Sequence, residues 1–256
     1  MVCPHVPPIA TLPVPFWTDA RYQPRVQLTF ATYNIHKAVG TDGRRDPERI
    51  VSVLREIDAD VIALQEVDRR IGQRASVIDR ALLDDTPWIA ADVARRPRSL
   101  GWHGNAILVR RGLEVVEAEP LHLPMLEPRG AARADIMVDG RRVRVIGMHL
   151  DLSGLRRRDQ IRAILRHIGV CKPDCPTVLM GDFNQWGLKS GAMREFGETW
   201  HVLDTPRSFP SRQPIACLDR IVTSVDWTCI EQGVHHSATA ARASDHLPVL
   251  ARLNMH

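Results

Sequence analysis

Lysine is nearly missing from this chain. It stands only at positions 37, 172 and 189, so almost all of the 34 basic side chains are arginine. No apolar run approaches the roughly 18 residues that a membrane span needs, so a transmembrane segment is not expected. The first residues, MVCPHVPPIATLPVPFW, lack a basic stretch followed by an apolar one and do not read as a signal peptide. The expected compartment is the cytoplasm. Cysteine is sparse: five, an odd number, at 3, 171, 175, 217 and 229. CKPDC has no second pair at metal-site spacing, so these read as solitary reduced thiols, neither a disulfide framework nor a zinc site. There is no internal repeat, low-complexity tract or linker. No cysteine or serine lies in a motif that supplies a nucleophile, which argues against a covalent intermediate.

What is present fits a folded domain. Of 256 residues, 44% are hydrophobic and 25% charged, enough to bury a large core. The net charge is +4 with a sequence pI near 9.0. Arginine pairs recur at 44–45, 69–70, 95–96, 110–111, 141–142 and 156–158. They read equally as a surface for phosphates or as solvated faces, because they are spread along the whole chain. They favour an anionic substrate and do not by themselves indicate nucleic acid.

Prolines at 4, 7, 8, 13 and 15 make residues 1–24 an extended arm, and residues 25–256 are read as one domain. RVQLTFATYNIH alternates as a strand. DPERIVSVLREI carries helix signals: Asp46 as N-cap, Pro47 in the first turn, and Ile50, Val53, Leu54 and Ile57 on one face. ADVIALQEV is a buried strand and SVIDRALLDD a short helix. GNAILVRR and LEVVEAEP are expected to pair across Arg-Gly. Asp139-Gly140 predicts a hairpin between two strands. LRRRDQIRAILRHIGV is an amphipathic helix with Ile161, Ile164, Leu165 and Ile168 inward. Strands follow at PTVLMGDFN, twice in ACLDRIVTSVDWTCIEQGVHH, and at SDHLPVLARL. Strands in consecutive pairs with few helices predict an α/β fold: two mainly antiparallel sheets packed face to face, with helices outside.

The strands share a chemical habit at their ends. Strand 26–33 closes on Asn34, 61–65 on Glu66, 143–148 on His149, 177–180 on Asp182 and Asn184, and 216–218 on Asp219; the last strand opens with Asp245 and His246. Gathered at one edge, these side chains would make a pocket of carboxylates, imidazoles and carboxamides. Clustered carboxylates call for a cation, and oxygen ligands select Mg²⁺ or Mn²⁺. Such a cation neutralises phosphoryl oxygens, and a His–Asp pair orients an imidazole for proton transfer or a phosphate hydrogen bond. Asp182 and Asn184, two apart in an extended segment, would point to the same side, with Phe183 turned into the core.

TYNIH, LQEV, GNAIL, MHLDL, GDFN, LDRI and SDHLPV, in this order, resemble the endonuclease/exonuclease/phosphatase superfamily, from Thr32 to Leu250. The likeness is nearest to small bacterial members with TYNIHK, PRGA and FPS…LDRI segments. The resemblance implies a four-layered α/β sandwich and metal-dependent hydrolysis of a phosphodiester by direct attack of water, nuclease-like. It implies Glu66 as principal Mg²⁺ ligand with Asn34 nearby, and Asp245 as a second ligand or water orienter. Asp182 would activate the water, Asn184 would hold the phosphate, and His246 backed by Asp219 would contact it. His149 stands where abasic-site enzymes use Tyr, which argues against that repair activity. Asn105, Arg129 and Trp186 are weaker candidates for substrate contact, each with an ordinary structural alternative. Trp102 and Trp186 would serve as a stacking platform or an anchor for peripheral membrane contact. The expected substrate is a nucleic-acid strand or a phospholipid head group, with long duplex DNA disfavoured, and the expected state is a monomer. The rival readings are a phospholipid or small-molecule phosphodiesterase, a phosphomonoesterase, and a catalytically inactive phosphate-binding module.

Overall fold

The computed structural model describes residues 26–125, 127, 129–170, 175–188 and 190–256. The proline-rich arm and the Cys171 end of CKPDC lie outside them. The strands are β1 (Gln27–Asn34), β2 (Val61–Gln65), β3 (Trp88–Ala90), β4 (Ala106–Arg110), β5 (Glu114–Leu121), β6 (Gly130–Val138), β7 (Arg141–His149), β8 (Thr177–Asp182), β9 (Trp200–Val202), β10 (Asp219–Ser224), β11 (Trp227–Val234) and β12 (Val249–Met255). The helices are α1 (Pro47–Ile57), α2 (Arg80–Asp84), α3 (Gly154–Val170) and α4 (Ala240–Ala243).

Two six-stranded sheets form, in the orders β11-β12-β1-β2-β4-β3 and β5-β6-β7-β8-β10-β9. Each has one parallel pair at its centre, β1 with β2 and β7 with β8, and antiparallel neighbours elsewhere. A helix makes each parallel crossover, as the geometry of parallel strands requires: α1 in the first sheet and α3 in the second. The two sheets therefore share one topology, without any repeat in the sequence.

Packing makes four layers. Phe30, Ala63 and Ile107 of the first sheet meet Val145, Val178 and Met180 of the second in the central core. Ala31, Ile62 and Leu64 face outward onto Ile50, Val53 and Leu54 of α1. Ile146, Leu179 and Phe183 face Ile161, Ile164 and Ile168 of α3. Central strands buried on both faces explain why VIALQ and TVLM are continuous apolar runs. Each such aliphatic side chain contributes roughly 1.5–3 kcal/mol on burial. At Gly147 the sheets come very close: an added Cβ would lie 3.1 Å from the Ala63 methyl and 3.3 Å from Ile107 Cγ1. Gly181 likewise permits close approach, since a Cβ there would fall 1.9 Å from the Met148 carbonyl oxygen.

Local signals held where they were chemical. Asp46 accepts the Arg49 N–H at 3.0 Å and caps α1. Asp139 and Gly140 take φ of 46° and 77° and turn β6 into β7. Leu165 is only partly buried, unlike its three isoleucine companions on α3. Two expectations fail. β4 and β5 do not pair: β4 lies between β2 and β3, whereas β5 pairs with β6 in the other sheet. The chain changes sheets at Gly112. β4 is buried almost throughout, while β5 is a half-exposed edge strand whose Glu117 and Glu119 meet Arg133 of the second sheet. Asp219 also does not close a strand; it opens β10, which runs antiparallel to β8 and so begins at the edge where β8 ends. The three-residue edge strands β3 and β9 and the four-residue helix α4 are too short to leave a periodicity.

Candidate functional site

The parallel pairs of both sheets finish at the same edge of the sandwich, so their polar ends converge. Register brings Asp182 opposite His149 on one side and opposite Asp219 on the other. In the first sheet Asn34 lies opposite Gln65, one residue before Glu66. The link across the sheets is direct: Asn34 Nδ2 donates to Asp182 Oδ2 at 3.0 Å. Asp182 is buried and central. Its Oδ1 accepts the Asn184 N–H at 2.9 Å, and its Oδ2 lies 3.4 Å from His149 Nε2 and 3.9 Å from His246 Nε2. A buried carboxylate needs such compensation.

The two imidazoles around Asp182 differ. His246 Nδ1 lies 2.8 Å from Asp219 Oδ2, and Asp219 also accepts from the Ser208 hydroxyl. Burial alone would push the His246 pKa down, but the charge and hydrogen bond of Asp219, with Asp182 and Asp245 beyond, raise it to about 10. At neutral pH this ring is an imidazolium that donates through Nδ1 to Asp219, with its Nε2 proton on the side of Asp182. Phe209 packs against it at 4.7 Å between ring centroids. For His149 burial prevails: it lowers the pKa to about 4, Arg129 adds to the effect, and Asp182 opposes it. Its Nε2 faces an acceptor, Asp182, and a donor, the Arg129 guanidinium. A neutral ring can serve only one of them at a time.

Glu66 stands just past β2 with a left-handed φ of 59°. Its carboxylate contacts the ammonium of Lys37. Burial raises its pKa, but the charge His149 bears when protonated and the ammonium of Lys37 outweigh burial and hold it below the ordinary value. Lys37 sits in a turn where His36, Lys37 and Ala38 all have positive φ. For residues with a Cβ this conformation costs about 1–2 kcal/mol each. Asn34 Oδ1 steadies the turn by accepting the His36 N–H at 3.1 Å. His36 in turn places Nδ1 3.7 Å from Asp245 Oδ1. Asn184 lies at φ 49° and donates through Nδ2 to the Leu150 carbonyl at 2.9 Å.

The weaker candidates separate. Arg129 is buried at the centre, on His149 and the Leu150 carbonyl, and its Nε lies 3.4 Å from Glu127 Oε2. Asn105 is fully buried and its Nδ2 donates to the Trp102 carbonyl at 3.2 Å, a bond within its own turn that leaves it outside the hydrogen-bonded cluster on Asp182. Trp186 is exposed and its backbone carbonyl receives Arg220 at 3.3 Å. Arg220 is thereby engaged away from Asp219, leaving that carboxylate to His246. Trp102 is committed to edge contacts with His103 and His122. Sequence reasoning overlooked Lys37, three residues after Asn34, and Ser208, one residue before the FPS segment. It also overlooked Ser244, whose hydroxyl donates to the Asn34 carbonyl at 2.7 Å and accepts the His246 N–H at 3.2 Å.

The arrangement couples a buried, hydrogen-bonded carboxylate to a cationic imidazole and a neutral one. It can take a proton from a water molecule and donate hydrogen bonds to an anion. Asp182, Asp219 and His246 also present ligand atoms within 4.8 Å of one another. His246 Nδ1 is already engaged by Asp219, and hard cations select oxygen donors.

Comparison with known proteins bears on this geometry. No curated protein matches the chain. Among solved structures, the fold is similar to an endonuclease/exonuclease/phosphatase from Bacteroides vulgatus, at 18% identity and TM-score 0.71, covering 90% of this chain and 100% of that one. It is similar to D. rerio TDP2 complexed with single-strand DNA product, at 16% identity and TM-score 0.67, with 90% and 99% covered. A Bacteroides thetaiotaomicron mannosyl-6-phosphatase gives 20% identity and TM-score 0.67, with 88% and 99% covered. At such identities the likeness is one of fold. No helix among the described residues is long and apolar enough to cross a membrane. The model of the Endonuclease/Exonuclease/phosphatase family matches residues 31–246, which is most of the chain and includes every residue of the cluster around Asp182, and the chain therefore belongs to that family.

Proposed function

We propose that the protein is a metal-dependent phosphodiesterase that hydrolyses its substrate by direct attack of water, with a small or flexible diester preferred over long duplex DNA. The observation that carries this reading is Asp182. It is a buried carboxylate bonded to Asn34 and Asn184 and flanked by a neutral and a cationic imidazole. In this reading Asp182 orients and deprotonates the water. His246, charged through Asp219, donates to the phosphate, while Asn184 and His149 hold its other oxygens. Donation from a cationic ring suits an oxyanion that gains charge in the transition state.

The donor set fits Mg²⁺ or Mn²⁺. Glu66, Asn34 and Asp245 offer oxygen atoms, the ligand type such hard cations select. Glu66 already accommodates one positive charge, the ammonium of Lys37. Glu66 would be the principal ligand, with Asn34 and Asp245 beside it. The bound cation would supply neutralisation of phosphoryl charge. Support for the reaction class comes from family membership. A neighbour captured with single-strand DNA product favours a diester, and one named a mannosyl-6-phosphatase keeps the monoester as the second reading.

The deciding assay compares bis(4-nitrophenyl) phosphate with 4-nitrophenyl phosphate, in Mg²⁺, in Mn²⁺ and in excess chelator. Diester turnover that disappears with chelator is expected. Faster monoester cleavage would favour a phosphatase, and no turnover with either metal would favour a phosphate-binding module.

A further inference from the structure

Arginines in this protein fall into two populations. On the second sheet Arg133 is buried against Glu117 at 2.6 Å, Glu119 at 2.7 Å and Asp135 at 3.2 Å. Arg142 and Arg144 share Asp135 with it, at 3.2 and 3.1 Å, the compensation that buried charge demands. Beside Glu66 and His149 lies a small cleft, with a cavity volume of about 40 Å³, lined by five cationic side chains and only two carboxylates. Among the described residues no carboxylate pairs with Arg69 or Arg74 there, and Arg74 spends Nη1 on His103 Nδ1 at 3.0 Å. The other three are balanced, Lys37 by Glu66, and Arg70 and Arg129 by Glu127 at 2.6 and 3.4 Å.

A second cleft shares Asp68, Arg74 and His103 with the first and adds Arg95 and Arg96, also without carboxylate partners among the described residues. The shared wall is built. Asp68, buried, accepts the Leu100 N–H at 3.0 Å and the Ser99 hydroxyl. Ser76 donates its N–H to the Arg98 carbonyl at 2.7 Å. Loops 68–76 and 95–100 are thus laced together, and two arginine pairs 26 positions apart in sequence line adjoining clefts that share Arg74. Uncompensated cations held this close repel one another unless an anion joins them.

We propose that this cleft binds a second phosphate of the substrate, next to the scissile one, with Arg74 and Arg69 as its principal contacts. The preferred substrate then carries at least two phosphate groups. The inference rests on the reading above for the position of the scissile phosphate at Asp182. It adds that the arginines scattered in the sequence converge on a short track leading away from His149.

The test uses the dinucleotide TpT against pTpT and TpTp, which add one phosphate on either side of the same diester. 4-Nitrophenyl 3-phosphopropyl phosphate, compared with 4-nitrophenyl 3-hydroxypropyl phosphate, adds the second phosphate to a diester without a nucleoside. In wild type, pTpT or TpTp should exceed TpT in kcat/KM by about tenfold or more, the worth of one or two charged hydrogen bonds. In Arg74→Gln that ratio should fall close to one. Equal rates for all three in wild type, or a ratio unmoved in both Arg74→Gln and Arg69→Gln, would overturn the subsite. If the phosphopropyl compound shares the advantage, the subsite reads phosphate irrespective of a nucleoside; if it does not, the partner is a nucleic-acid strand.

Binding of the same compounds to Asp182→Asn by calorimetry separates the two claims. A pTpT or TpTp preference there with no hydrolysis of any ester by wild type would refute the proposed activity and retain the subsite. Hydrolysis without preference would do the reverse. Tight binding to phosphatidylglycerol vesicles that depends on exposed Ile71, with no preference for the extra phosphate, would also overturn the subsite and assign the loop to a lipid surface.

Discussion

The ends of the two sheets meet at Asp182 with unlike equipment. On one side is His149, at the end of β7, pressed against Arg129 and kept neutral by burial. On the other is His246, just before β12, kept cationic by Asp219 at 2.8 Å. Both rings are buried, and both nitrogens nearest Asp182 lie within 4 Å of it. What separates them is the second neighbour of each ring: a guanidinium that shares Nε2 with Asp182 in one case, a carboxylate on the far nitrogen in the other. Desolvation acts on both in the same direction, and a single adjacent charge decides whether it prevails.

The sharpest way to break this comparison is to remove the group both rings face. Asp182→Asn should lower turnover by more than about a hundredfold, since it abolishes the proposed base while leaving an acceptor for Asn34. Retention of full kcat would sink the assignment. His246→Ala should lose about a hundredfold. Asp219→Asn should lose less, about tenfold, because the ring survives with a weaker hold on its proton. A greater loss in Asp219→Asn than in His246→Ala, by steady-state kinetics, would mean that Asp219 acts on substrate or metal itself. Next comes Glu66→Gln. It should raise the metal concentration needed for half-activity by at least about tenfold, with an unchanged circular dichroism spectrum.

Stability against pH should show the smallest and most diagnostic effect. His149 in the unfolded chain takes up a proton near pH 6.5, whereas the folded ring resists until about 4. The unfolded state then binds more protons in that window, so stability falls as pH drops from 6.5 to 4. His246 has the opposite sign: its raised pKa gives stability fully present below 6.5 and lost as pH rises through about 10. His149→Gln should flatten the acid limb of melting temperature against pH, and His246→Gln the alkaline limb. If both variants altered the same limb, the opposition between the rings would be wrong.

Much of the site is legible in the sequence alone. Asp182, His149 and Asn34 can be found because an apolar strand that ends on a polar group is visible in one dimension. Asp46 is readable for a similar reason, since a cap acts within one turn. Pairing across the sandwich is not. Nothing local distinguishes β4 turning back on itself from β4 handing the chain to the other sheet, because the choice rests on where Glu117 and Glu119 find Arg133. Lys37 escapes notice because it reaches Glu66 only through three consecutive left-handed residues, a conformation that His-Lys-Ala does not advertise. Ser208 and Ser244 support the site through hydrogen bonds to residues 11 and 210 positions away.

Gly147 gives the site an adjustable width. It is a point of close approach between the sheets, two residues before His149, and the Ala63 methyl it faces is three residues before Glu66. The gap between the proposed cation ligand and the neutral imidazole is therefore gauged, one short lever-arm away, by the absence of a methyl group. An alanine there would ask Ala63 and Ile107 to yield by a few tenths of an ångström, and a tightly packed interior passes such a displacement along. Catalytic spacing in this protein would then be a property of its floor, open to change by a residue that touches neither substrate nor metal.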